Sequence, residues 1–206
     1  MNFNLWIDSL TKPVATFKKE RKNANLSQGA LHIAVAGIVT GFLSGLYQML
    51  FFSPAVGSIF PMASGFAGVA GFLMTLILTP IFSVIAWLII SGILYILALI
   101  FGGKGSYTTQ SYLYAIYSAP LSIVTTIIAL IPFYGMFLSI IPALYGLYLL
   151  TMALKEAHKY STVRAFFTWF IPILIVVVIA VIIGVAILAF LLGGMAGNLG
   201  GTVPGM

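Results

Sequence analysis

All nine Lys and Arg residues and all three Asp and Glu residues of this 206-residue chain lie outside five long apolar stretches. The stretches cover roughly residues 29–52, a passage somewhere within 62–101, then 111–131, 135–154 and 166–192. A helix needs about 20 apolar residues to cross the hydrocarbon core, and in lipid the backbone must satisfy its own hydrogen bonds. The pattern predicts an all-α polytopic membrane protein, a five-helix transmembrane bundle. With 62% hydrophobic and 6% charged residues, the chain has too little polar surface to coat a water-soluble globule. Three parts are expected: an N-terminal segment (1–27), a transmembrane domain (28–194) and a flexible tail (195–206), whose glycines predict disorder. The opening MNFNLWIDSLTKPVATF has no apolar core of a cleavable signal before its charges begin. The absence of cysteine excludes disulfides and thiolate chemistry.

The passage 62–101 is too long for one perpendicular helix and barely long enough for two. Charge decides between them. The cations fall in three groups: Lys12, Lys18, Lys19, Arg21 and Lys22; Lys104 alone; and Lys155, Lys159 and Arg164. One crossing places all nine on one side, whereas two crossings split them five against four. The positive-inside bias favours one crossing. The break at Thr79-Pro80 also reads as a kink rather than a solvated turn. Five crossings follow, with the N-terminus cytoplasmic and the C-terminus outside. The surplus residues before Pro80 are expected as a tilted extension or a partial helix in the outer leaflet. The net charge of +6 then reads as a topology signal rather than a nucleic-acid surface.

The turn IFGGKGSYTTQSY could be mistaken for a phosphate-binding loop. A Walker loop needs G-x-x-x-x-G-K-[ST], but Gly105 follows Lys104 and Ala98 stands where the first glycine belongs. The dinucleotide pattern fails at Thr108, and no strand precedes the turn. A membrane turn accounts for the residues better. Gly102, Gly103 and Gly105 allow left-handed backbone, and Ser106 or Thr108 can cap the next helix.

In the N-terminal segment, Phe3, Trp6, Ile7 and Leu10 share one helical face, Pro13 interrupts it, and KKERK follows. This predicts a short amphipathic helix in the membrane interface; a mobile tail whose charges only set orientation is the alternative. Trp6, Lys18, Lys19, Arg21, Lys22 and Lys104 are the candidate contacts to anionic headgroups. Gly37, Gly41 and Gly45 form a small-residue stripe for close helix packing, within the chain or against a second copy. A polar stripe of Tyr107, Ser111, Tyr114, Ser118, Ser122 and Thr125 continues on the fourth span as Tyr145, Tyr148 and Thr151. It reads either as interhelical hydrogen bonds, each worth about 0.6–2 kcal/mol, or as the lining of a polar cavity. Pro120, Pro142 and Pro172 predict kinks.

Catalytic candidates are few. His32, His158 and Glu156 come from separate segments, and a zinc site needs three or four converging ligands. Glu156 is expected to pair with Lys159 or Lys155. No enzyme activity, cofactor or metal is expected.

Three passages, LWIDSLTKPVATF, LIFGGKGSYTTQSYLYAIYSAPL and LYLLTMALKEAHKYSTVRAF, in this order, resemble the Yip (Ypt/Rab-interacting protein) domain family over nearly the whole chain. The resemblance implies a five-helix membrane domain with a cytoplasmic N-terminus. Eukaryotic members act in vesicle trafficking, binding Rab-type GTPases and one another. Here, the segment before span one has no counterpart of their long N-terminal region or its D-L-x-G-P motif, so a GTPase partner is not implied. The short form resembles the prokaryotic branch, which implies a prokaryotic cell membrane. The expected function is non-enzymatic: organising membrane, or binding partner membrane proteins or further copies, with anionic lipid at the inner face. The alternative is a small-solute or lipid transporter or channel using the polar stripe on spans three and four.

Overall fold

The computed structural model describes residues 3–52 and 64–200, with side chains described over 3–51 and 68–190. Among these residues the chain is helical without strands. Two short helices, α1 (Phe3–Thr11) and α2 (Pro13–Glu20), lead through a 3₁₀ turn (Arg21–Asn23) into α3 (Leu26–Tyr47). Then come α4 (Ser64–Ile100), α5 (Tyr107–Ala129), the single turn α6 (Gly135–Leu138), α7 (Ile140–His158) and α8 (Thr162–Gly200). Five helical spans are long and apolar enough to cross a membrane: Leu26–Phe51, Gly68–Ile100, Tyr107–Ala129, Gly135–His158 and Thr162–Phe190.

Local chemistry sets the boundaries. Pro13 occupies the first turn of α2, where its missing N–H costs nothing. Asn25 caps α3 by accepting from the Gln28 N–H (3.1 Å), and Ser106 caps α5 by accepting from the Thr109 N–H (3.1 Å). Lys159 ends α7 in the left-handed conformation, φ 53°. The passage before Pro80 is not a separate partial helix: α4 is continuous from Ser64, with Pro80 inside it. Residues 62 and 63 lie outside the described part. Pro142 stands in the first turn of α7 and needs no kink there.

The chain divides into two units, residues 1–166 and 167–206. In the first, α5 is central. One of its sides packs with Phe17, Leu149, Ala153 and Ala157; the other packs with Trp6, Ile33, Ala36 and Trp87. The three-glycine stripe faces α4. A Cβ on Gly37 would come within 2.6 Å of Pro80 Cα, on Gly41 within 2.9 Å of the Thr75 carbonyl, and on Gly45 within 3.0 Å of the Phe72 ring. Small residues there let two backbones approach, which is how helices associate without a water-release force. Gly29, against Trp87 at 3.0 Å, extends this contact toward the start of the span; Ala30 and Ala34, one position further along, are only half-buried.

The second unit continues α8. Every Val, Ile, Leu and Phe from Ile173 to Phe190 is exposed. The helix runs on to Gly200, past residue 195 where disorder is expected. Glycine weakens a helix by about 1 kcal/mol in water, but an apolar solvent penalises an open backbone more heavily. Residues 201–206 lie outside the described part.

Candidate functional site

The N-terminal segment is docked on the bundle, not laid out with its apolar face outward. Of the four residues on the expected lipid face, Trp6 is buried, Leu10 half-buried, and Phe3 and Ile7 exposed. The Trp6 indole N–H donates to His32 Nδ1 at 2.8 Å. Ser9, fully buried, places its hydroxyl against the Ile116 carbonyl at 2.9 Å. The Tyr145 hydroxyl donates to the Leu10 carbonyl. Past Pro13, Phe17 is fully buried against Tyr117. An amphipathic period records an apolar partner without recording whether it is lipid or protein.

The segment's far end is also held. The Tyr112 hydroxyl donates to Glu20 Oε2 at 3.2 Å. Arg21 pairs with Glu156 (3.7 Å) and donates to its carbonyl (3.3 Å), so the partner of Glu156 is Arg21, not Lys155 or Lys159. A residue in the 3₁₀ turn outcompetes the helical neighbours because its guanidinium reaches carboxylate and carbonyl together.

A second junction closes around His158. The Gly105 N–H donates to His158 Nδ1 at 3.1 Å. Nδ1 is therefore the acceptor and Nε2 carries the proton, donating to Gln110 Oε1 at 2.7 Å. Gln110 in turn donates to the Ser91 carbonyl at 2.9 Å. One imidazole and one amide thus tie spans two, three and four together, and the Lys104 N–H adds a bond to the His158 carbonyl (3.3 Å). This also corrects the reading of the turn's glycines. Only Gly102 is left-handed, φ 81°. Gly103 and Gly105 are there for closeness: a Cβ on Gly103 would meet the His158 ring at 2.6 Å, and one on Gly105 would overlap the Ala157 carbonyl.

These contacts gather the start of span one, the end of span two, the start of span three and the end of span four at one face. Lys18, Lys19, Lys22, Lys104 and Lys159 are exposed there, and Arg164 lies beside Gly102. Beneath this face lies a cavity of about 380 Å³, lined by Glu20, Asn23, Gln28, His32 and Tyr112 with Leu5 and Leu31.

Most of the polar stripe is engaged elsewhere. Tyr107 donates to the Leu88 carbonyl (3.0 Å), Ser122 to Ala119 (2.8 Å), Thr125 to Leu121 (2.9 Å) and Thr151 to Leu147 (2.8 Å). Tyr148 stacks on Tyr145. Ser111 is fully buried and its hydroxyl has no partner; its carbonyl accepts from Trp87 (3.1 Å). Tyr114 and Ser118 border two clefts, about 360 and 250 Å³, walled mostly by carbon. His32, His158 and Glu156 do not converge: each has its own partner, and among the described residues no three His, Cys, Asp or Glu form a metal-binding group.

Sequence reasoning passes over Glu20, Gln110 and Phe17. Each acts through a partner far away in the chain, and no short spacing marks such a pair.

A search of curated proteins and a search of solved structures each returned no match. The model of the Yip1 domain matches residues 7–184, from α1, docked at the basic face, to deep in the last span. The chain belongs to the Yip1 domain family.

Proposed function

We propose that this protein is a non-enzymatic organiser of membrane or of partner membrane proteins, working from its basic face with the N-terminus in the cytoplasm. Lys18, Lys19, Lys22 and Lys104 contact anionic headgroups, each exposed cation contributing about 1 kcal/mol near such a surface, while Arg21 holds the segment to Glu156. Trp6, held by His32, fixes the platform that carries them. The observation behind this reading is the collection of cations at one end of the bundle, on a segment locked to spans one, three and four. Reconstituted full-length protein should retain phosphatidylglycerol over phosphatidylcholine, and Lys18, Lys19, Lys22 and Lys104 changed together to Gln should abolish the preference. Equal retention by both forms would overturn the reading. Single cysteines at positions 104 and 159 should label from the same side.

The two clefts beside Ser118 favour one further reading, movement of a small solute or a lipid along spans three and four. Flux into proteoliposomes that falls with Tyr114→Phe or Ser118→Ala would establish it over the first.

A further inference from the structure

The cavity beneath the basic face has a chemistry opposite to its rim. Glu20 sits between Lys19 and Arg21 in a run of cations, yet it faces Tyr112 and lines the cavity. It has no ion-pair partner among the described residues, since Arg21 is spent on Glu156. Around it stand the amides of Asn23 and Gln28, which can accept as well as donate. His32 closes the other wall. Its Nδ1 accepts from Trp6, so in the neutral ring Nε2 carries a proton and remains a donor. Leu5 and Leu31 supply an apolar side.

The location restricts what can enter. Gln28 and His32 belong to the first turns of span one, and Tyr112 to the second turn of span three, its ring centroid 6.4 Å from that of His32. The cavity therefore opens at headgroup depth. At about 380 Å³ it lies near the small end of ligand sites.

We propose that this cavity binds the primary ammonium of a phosphoethanolamine group, with Glu20 as its counter-ion. Glu20 and the two amide carbonyls take the three N–H donors. The phosphate, two carbons away, is within reach of the exposed lysines of the rim, Lys19 and Lys22. A choline group offers no N–H and is disfavoured. An anionic glycerol headgroup brings no positive charge to Glu20 and is rejected. This selectivity is independent of the anionic contact proposed for the rim, since it comes from the carboxylate and not from the lysines.

The test measures binding to the full chain in detergent by native mass spectrometry. The probes are phosphatidylethanolamine, phosphatidylcholine, phosphatidylglycerol and free phosphoethanolamine. The expected result is preferential retention of phosphatidylethanolamine, weakened about tenfold by Glu20→Gln, the scale of one charge-assisted hydrogen bond. Leu31→Trp, at an exposed position on the cavity wall, should block binding while leaving Glu20 in place. Equal binding of free phosphoethanolamine would assign the site to a soluble amine and keep the ammonium chemistry. A preference for phosphatidylglycerol that persists when Lys18, Lys19, Lys22 and Lys104 are changed together to Gln, or a phosphatidylethanolamine retention unchanged in both cavity variants, would overturn the proposal.

Discussion

The two ends of the first unit are built from similar residues on different terms. At the basic face, polar side chains join elements distant in sequence: Trp6 to His32, Tyr112 to Glu20, Arg21 to Glu156, and His158 through Gln110 to Ser91. Among the described residues at the opposite end the bonds are local, as with Ser122 to Ala119 and Ser139 to Gly135. The intervening turn leaves Phe133 93% exposed and Met136 83% exposed. A local bond satisfies a hydroxyl but fixes no neighbour, whereas a cross-element bond specifies where one helix lies on another. Positional specificity is therefore concentrated where the cations are.

That contrast can be broken by substitution. Phe17→Ala should cost about 3–5 kcal/mol, the range for removing a buried aromatic ring, measured by thermal unfolding in micelles. If it costs no more than Phe137→Ala at the exposed end, the N-terminal segment is not part of the packed unit. His158→Ala leaves Gln110 Oε1 and the Gly105 N–H without partners and should cost about 3 kcal/mol, at about 1–3 kcal/mol for each buried group left unpaired. The same variant should speed proteolysis at the 102–106 turn. At the far end the sign reverses. Phe133 is left-handed at φ 64°, a conformation that penalises a bulky residue, and Phe133→Gly should raise stability by about 1 kcal/mol. The smallest effect belongs to Glu156→Gln. Its pair with Arg21 is partly exposed, so a loss of about 0.5 kcal/mol that fades with added salt is expected.

What the sequence made legible follows from the kind of information each feature carries. Span number and the one-sidedness of the cations rest on composition and length, which lipid enforces along the whole chain. The spacing of Gly37, Gly41 and Gly45 marks a close helix contact, but the identity of its partner, Pro80, Thr75 and Phe72, is a tertiary fact. The face containing Phe3, Trp6 and Ile7 signalled an apolar partner, and the structure divides those residues between the interior and the surface. The His158 junction left no trace in the sequence. Gln110 is an ordinary polar residue near a helix start, and only folding sets it against an imidazole 48 positions away. Gly103 and Gly105 were visible, but the reason for them was not: glycine in a turn looks the same whether it serves torsion or proximity.

The uninterrupted helix Ser64–Ile100 has 37 residues, about 55 Å at 1.5 Å per residue, against a hydrocarbon core of about 30 Å. Tilting by a typical ~20° shortens its projection by only a few ångström. The surplus is uncharged and mostly apolar, so water is a poor host for it. A span this long is accommodated by a bend at Pro80 or by local thickening of the bilayer. The length of this helix, and no bound ligand, sets the demand it would place on the thickness of a surrounding bilayer.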